Sequence, residues 1–95
     1  MNDTSRDFPA ALADFGGRLR QARLQQSLSQ AGLALQLDIG RSTLVEYESG
    51  RILPSLPVAV RLAAALSISL DWLCGLTPGS PDSANPPAAT GLPSP

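Results

Sequence analysis

Seven arginines, eight acidic residues, one cysteine and no lysine or histidine carry the charged chemistry of this 95-residue chain. Without histidine there is no imidazole base and no His-based zinc site. Cys74 stands alone, which excludes an internal disulfide and a thiolate metal cluster. The acids Asp14, Asp38, Glu46, Glu48 and Asp71 form no evident acid–base pair. No glycine-rich phosphate loop follows a strand, and no nucleophile has a base at hand. Catalysis is therefore the weakest reading, and no cofactor is expected. What remains is recognition by charged and polar side chains, whose form depends on the elements that carry them.

Composition limits where those elements lie. Six of the 19 residues from Thr77 to Pro95 are proline, and Gly, Ser, Ala and Asn fill much of the rest. Such a stretch has too little apolar surface to offset the entropy of ordering it, so 77–95 reads as a disordered tail. Residues 1–10 are polar and read as a flexible N-terminus. The folded domain is then about 11–76, short enough to be marginal on its own and to gain from dimerisation. No apolar run is long enough to span a membrane, and the N-terminus lacks a signal-peptide pattern. A soluble, cytoplasmic protein without a membrane partner is expected.

Apolar spacing predicts helices and no strand. Phe15, Leu19 and Ala22 make one stripe on a first helix over about 10–26. Ser29 can cap a second helix, Gln30 to Leu37, with Leu33, Ala34 and Leu37 on one face. Gly32 occupies the position where a glutamate would complete a capping box. Asp38-Ile39-Gly40 breaks the chain before a third helix, Arg41 to Ser49, with Leu44 and Tyr47 inward and Gly50 as its left-handed terminus. Ser55 caps a fourth helix, in which Pro57 is tolerated in the first turn. Its buried face is Leu56, Ala59, Leu62, Ala63 and Leu66. Ser69 caps a short fifth helix, Leu70 to Cys74, closed by Gly75. The fold class is all-α, with five helices.

Two short capped helices joined by a three-residue turn can lay one helix across a DNA backbone and the other in the major groove. Here the residues resemble a known family. Leu28-Ser29-Gln30, Leu33-Ala34, Ile39-Gly40-Arg41-Ser42-Thr43-Leu44 and Tyr47-Glu48-Ser49-Gly50-Arg51 are similar to the lambda-repressor-like, Cro/C1-type helix-turn-helix domains of the XRE family. Pro54-Ser55-Leu56, Leu62-Ala63-Ala64-Ala65-Leu66 and Leu70-Asp71-Trp72-Leu73 resemble that family's fourth and fifth helices. The likeness covers about residues 14–76.

The resemblance implies roles residue by residue. Gln30 would hold a DNA phosphate, or be an ordinary polar residue of a first helical turn. Arg41, Ser42, Thr43, Val45 and Glu46 fall on positions that face DNA. The Arg41 fork suits guanine O6 and N7, with a phosphate as its alternative; Ser42 and Thr43 can bond either bases or phosphates. Val45 would touch a thymine methyl or stay exposed. Glu46 departs from the family's usual Gln, Arg or Lys, and would either accept from cytosine N4 or repel phosphates. Arg51 would reach a phosphate or be a solvated loop cation, and Ser55 would add a backbone N–H contact. Arg23 and Glu48 would pair as a clamp between the first and third helices. Trp72 is either core or a dimer contact. Cys74 reads as a small apolar residue rather than a redox sensor.

The function implied is a transcriptional regulator, a repressor by preference, binding a near-palindromic operator in double-stranded DNA as a homodimer on the nucleoid. From Asp14 to Leu76 six arginines face five acids, so modest non-specific affinity is expected. The alternative is an antitoxin that binds a toxin protein and represses its own operon. The hints toward such a partner are Leu35, Leu53 and Val58, placed where polar surface is expected, a Pro-rich tail that would either fold onto a partner or be a plain solvated end, and the low charge, which fits a protein that needs a partner or a dimer to hold DNA well.

Overall fold

Serine hydroxyls open three of the helices. Ser29 Oγ accepts from Gly32 N–H at 2.9 Å, Ser55 Oγ from Val58 N–H at 3.4 Å, and Ser69 Oγ from Trp72 N–H at 2.9 Å. Each satisfies a backbone donor that the helix itself leaves without a partner. The structure, a computed structural model, describes residues 13–79. In chain order the helices are α1 (Phe15–Gln25), α2 (Gln30–Leu37), α3 (Arg41–Ser49), α4 (Leu56–Leu66) and α5 (Leu70–Leu73). There is no strand among the described residues.

The ends are closed by left-handed residues. Asp38 at φ 57° ends α2; its N–H bonds Leu35 O at 3.1 Å, and Ile39 N–H bonds Ala34 O at 3.0 Å. Gly50 at φ 84° ends α3. Ser67 at φ 57° ends α4, a conformation only a minority of non-glycine residues adopt. α1 is shorter than the apolar spacing predicts. Residues 13 and 14 form a tighter turn before it, and Ser27 at φ 58° turns the chain after it. The predicted start at 10–12 lies outside the described residues. α5 stops at Leu73, with Cys74 as its terminus.

The helices enclose one core. Phe15, Leu19 and Ala22 from α1 meet Leu33, Ala34 and Leu37 from α2 and Leu44 and Tyr47 from α3. Leu62, Ala63 and Leu66 from α4 and Trp72 and Leu73 from α5 close it. Leu56 was expected on the buried face of α4 but is 68% exposed. It shares the register of Ala59 and Leu62, yet it is the first residue of the helix and projects past the edge of the core. Leu53 and Val58 depart in the opposite sense and pack against the core. Leu35 remains on the surface.

α1 touches α3 most closely, and a glycine is the reason. A Cβ on Gly16 would stand 2.4 Å from Glu48 O and 2.7 Å from Tyr47 O. The backbone of α1 therefore rides directly on the last turn of α3. At the other side Arg61 Nη2 donates to Leu37 O at 2.5 Å, tying α4 to the end of α2. The residues just after Leu76, assigned to the tail by composition, are held on the domain. Arg18 Nη1 donates to Trp72 O at 2.8 Å and to Thr77 O at 3.1 Å, and Trp72 Nε1 donates to Gly79 O at 2.7 Å. The rest of the stretch read as a tail, and residues 1–10, read from the sequence as an N-terminal arm, lie outside the described residues.

Candidate nucleic-acid interface

The interface begins with a buried ion pair. Arg23 Nε donates to Glu48 Oε2 at 2.6 Å and its Nη2 to Glu48 Oε1 at 3.1 Å, with side-chain exposures of 7% and 4%. The fork-to-fork geometry is that of a bidentate guanidinium–carboxylate pair. Arg23 Nη1 also donates to Leu28 O at 2.8 Å, so one guanidinium joins α1, the loop before α2 and α3. The carboxylate has a third donor. Gln30 Nε2 reaches Glu48 Oε1 at 3.1 Å. A buried charge that loses its water needs every such partner.

Gln30 passes the chain of bonds outward. Its Oε1 accepts from Arg41 Nη2 at 3.4 Å. The orientation of the amide follows from its neighbours: the carboxylate takes the N–H side, which leaves the oxygen for the guanidinium. The first residue of α2 and the first residue of α3 thus stand side by side at one edge of the domain. Arg41 and Ser42 are exposed there, and Thr43 and Val45 are half-buried. The backbone at this edge is also directional. Gly40 is extended at the start of α3, and no acidic residue lies in the first turn of α2, α3 or α4. Their free N–H groups and partial positive charge are unopposed.

At the other end of α3 Arg51 Nε lies 3.4 Å from Glu46 Oε1, and both side chains are substantially exposed. Ser55 is exposed and spends its hydroxyl on Val58 N–H as the cap of α4. Of the two readings of Trp72, core or dimer contact, its burial is that of a core residue. It is fully buried, and Arg18 covers one ring face at 5.0 Å. The ring fills the core between α1 and α5, so its side chain presents no surface to a second chain. Three residues escaped the sequence reading: Gly16, Arg18 and Arg61. Gly16 carried a usable signal, because a glycine inside a helix costs stability unless another backbone must come close.

This arrangement has a match among known proteins. A family model described as helix-turn-helix covers residues 19–73, from the middle of α1 to the end of α5. The chain belongs to the lambda-repressor-like helix-turn-helix family. The family match spans the whole clamp and both helices at the exposed edge. Among curated relatives of this helix-turn-helix chain is the cryptic phage CTXphi transcriptional repressor RstR of Vibrio cholerae serotype O1 (strain ATCC 39315 / El Tor Inaba N16961). It is 40% identical over 58 residues, which are 61% of this chain and 52% of the repressor. The chain thus spans about half the length of that relative. No solved structure matches it significantly. No described helix is long and apolar enough to cross a membrane.

Proposed function

We propose that the chain is a sequence-specific DNA-binding transcriptional regulator that acts by repression. The observation that carries this reading is the exposed edge where Gln30 and Arg41 meet at the N-termini of α2 and α3, held from below by Arg23 and Glu48. A helix locked to its domain by a buried bidentate pair can enter a major groove without losing its orientation. In this reading α3 is the recognition helix. Arg41, Ser42, Thr43 and Val45 reach base edges. Gln30, Arg51 and the α4 terminus at Ser55 hold the backbone. The relative's printed description as a phage transcriptional repressor supports the same function.

A homodimer on a near-palindromic site belongs to the proposal. Two recognition helices would enter successive major grooves about one turn, ~34 Å, apart. A bound dimer occludes a promoter with no further machinery, which favours repression. The antitoxin alternative loses two of its three surface-residue hints, since Leu53 and Val58 pack against the core.

Selection from a randomised duplex pool at low and moderate salt tests this function. Enrichment of a near-palindrome with half-sites about one helical turn apart is expected. Weak, salt-sensitive binding with no enriched sequence would overturn it.

A further inference from the structure

The last turn of α3 closes with two crossed bonds. Gly50 N–H bonds Tyr47 O at 3.2 Å, and Arg51 N–H bonds Glu46 O at 3.1 Å. This is a Schellman closure, which brings together the side chains of the residue before the last turn and the residue just past the glycine. Elsewhere that meeting is commonly hydrophobic. Here the two residues have opposite charge, with Arg51 Nε 3.4 Å from Glu46 Oε1. Ser49 tightens the turn. Its Oγ donates to Glu46 O at 3.0 Å and accepts from Arg51 N–H at 3.3 Å. The backbone therefore delivers Arg51 to Glu46 before any ligand arrives. Their side chains are 64% and 42% exposed, so a ligand can reach both.

We propose that Glu46 sets the ratio of specific to non-specific DNA binding by occupying the Arg51 guanidinium. The inference rests on α3 being the recognition helix. A phosphate that takes the Nε edge of Arg51 must break the pair, and one that binds the Nη groups sits beside the Glu46 carboxylate; either way the charge of Glu46 works against the contact. A random sequence offers that carboxylate nothing in return. A cytosine under Glu46 does, because its N4 amine is a donor in the major groove. At such a site Arg51 passes to a phosphate while Glu46 passes to the base. The ion pair thus couples one base contact to one backbone contact.

The test uses the full chain, Glu46→Gln, Arg51→Ala and the double variant. Each is put through selection on a randomised duplex pool. Affinities for the enriched duplex and for a scrambled duplex are then measured over a salt series. Glu46→Gln is expected to bind scrambled duplex about two- to fivefold more tightly, the worth of an exposed ion pair. Its salt slope steepens by about 0.9, one additional phosphate contact. Its enriched half-site loses a cytosine preference at one position. In the Arg51→Ala background the gain on scrambled duplex disappears. An equal gain with and without Arg51 would overturn the proposal, since Glu46 would then act by repelling phosphates alone. Unchanged scrambled affinity, or an unchanged base preference at every position, would overturn it as well. A wild-type chain that enriches no sequence removes the recognition-helix reading itself and this inference with it, a failure distinct from the others.

Discussion

Arg23 of α1 and Glu48 of α3 lie 25 residues apart in the chain and meet in two parallel hydrogen bonds, both side chains nearly sealed from water. Glu48→Ala leaves the guanidinium buried without its countercharge and strips Gln30 of its acceptor. The expected cost is about 3–5 kcal/mol, a large share of the ~5–15 kcal/mol that holds a typical domain folded. Urea unfolding followed by the fluorescence of Trp72, the single tryptophan, measures it. Replacing the pair together, Arg23→Met with Glu48→Leu, is expected to restore most of the loss. A single-variant cost below about 1 kcal/mol would make the pair equivalent to an exposed one.

Arg41 and Gln30 touch each other, yet their removal should read differently on DNA. Arg41→Ala is expected to weaken binding to the selected operator by ~1–3 kcal/mol and to relax base preference at one position. Gln30→Ala is expected to weaken binding to every sequence alike, because the contact proposed for it is to the backbone. Affinities for operator and scrambled duplexes separate the two. A uniform loss for Arg41→Ala would make Arg41 a phosphate contact instead.

Gly16 and Gly17 make a matched pair of controls inside α1. Alanine is ordinarily better than glycine in a helix by roughly 0.5–1 kcal/mol. At Gly17 the added methyl meets only the exposed side chain of Asp14, which can swing away, so Gly17→Ala is expected to raise the melting temperature. At Gly16 it meets the α3 backbone at Glu48 O and Tyr47 O, which cannot. Gly16→Ala is expected to cost about 1–3 kcal/mol through overpacking. Thermal unfolding of the two variants, with opposite signs of shift, checks this; a stabilised Gly16→Ala would mean the helices are not in contact there.

Cys74 supplies a pH dependence. Burial pushes its thiol above the ordinary range, and the nearby Asp71 carboxylate adds to the rise. Through the alkaline range that starts at the ordinary thiol value, the unfolded chain gives up the proton first. It then binds fewer protons than the folded chain, so stability falls with rising pH until the folded thiol ionises too. At neutral pH both states keep the proton and the contribution vanishes. The difference in unfolding free energy between the wild type and Cys74→Ala, followed from neutral to alkaline pH, is expected to move against the wild type. Alkylation of the folded chain is expected to be slower than that of the unfolded chain. A pH-independent difference would show the thiol to be in a water-like setting.

The helices and their caps were legible because they obey local rules. Ser29, Ser55 and Ser69 each stand where a hydroxyl meets an orphan N–H, and Gly50 stands where the chain must turn left-handed. The spacing of Phe15, Leu19 and Ala22, or of Leu33, Ala34 and Leu37, declares a buried face from residues three and four apart. Such signals depend on neighbours within one or two turns, and the chain carries them wherever it goes. The resemblance of the second and third helices to a known family then located the exposed edge.

Distance decided the rest. Whether Leu53, Val58 and Leu56 are covered depends on how far the core extends under each, which no periodicity contains. Trp72 could be core or interface by its type alone; the position of Arg18, 54 residues earlier, and of Gly79 made it core. The amide of Gln30 gained its orientation from Glu48, and Arg51 was brought to Glu46 by a backbone closure. Gly16 had to be glycine because two carbonyls from another helix come to it. The sequence by itself determined the elements and their ends, through short-range hydrogen bonding and apolar spacing. Beyond the Arg23–Glu48 clamp, which the family resemblance implied, only the tertiary structure decided which charged and polar groups meet, because such pairing requires atoms a few ångströms apart, brought there by packing between helices.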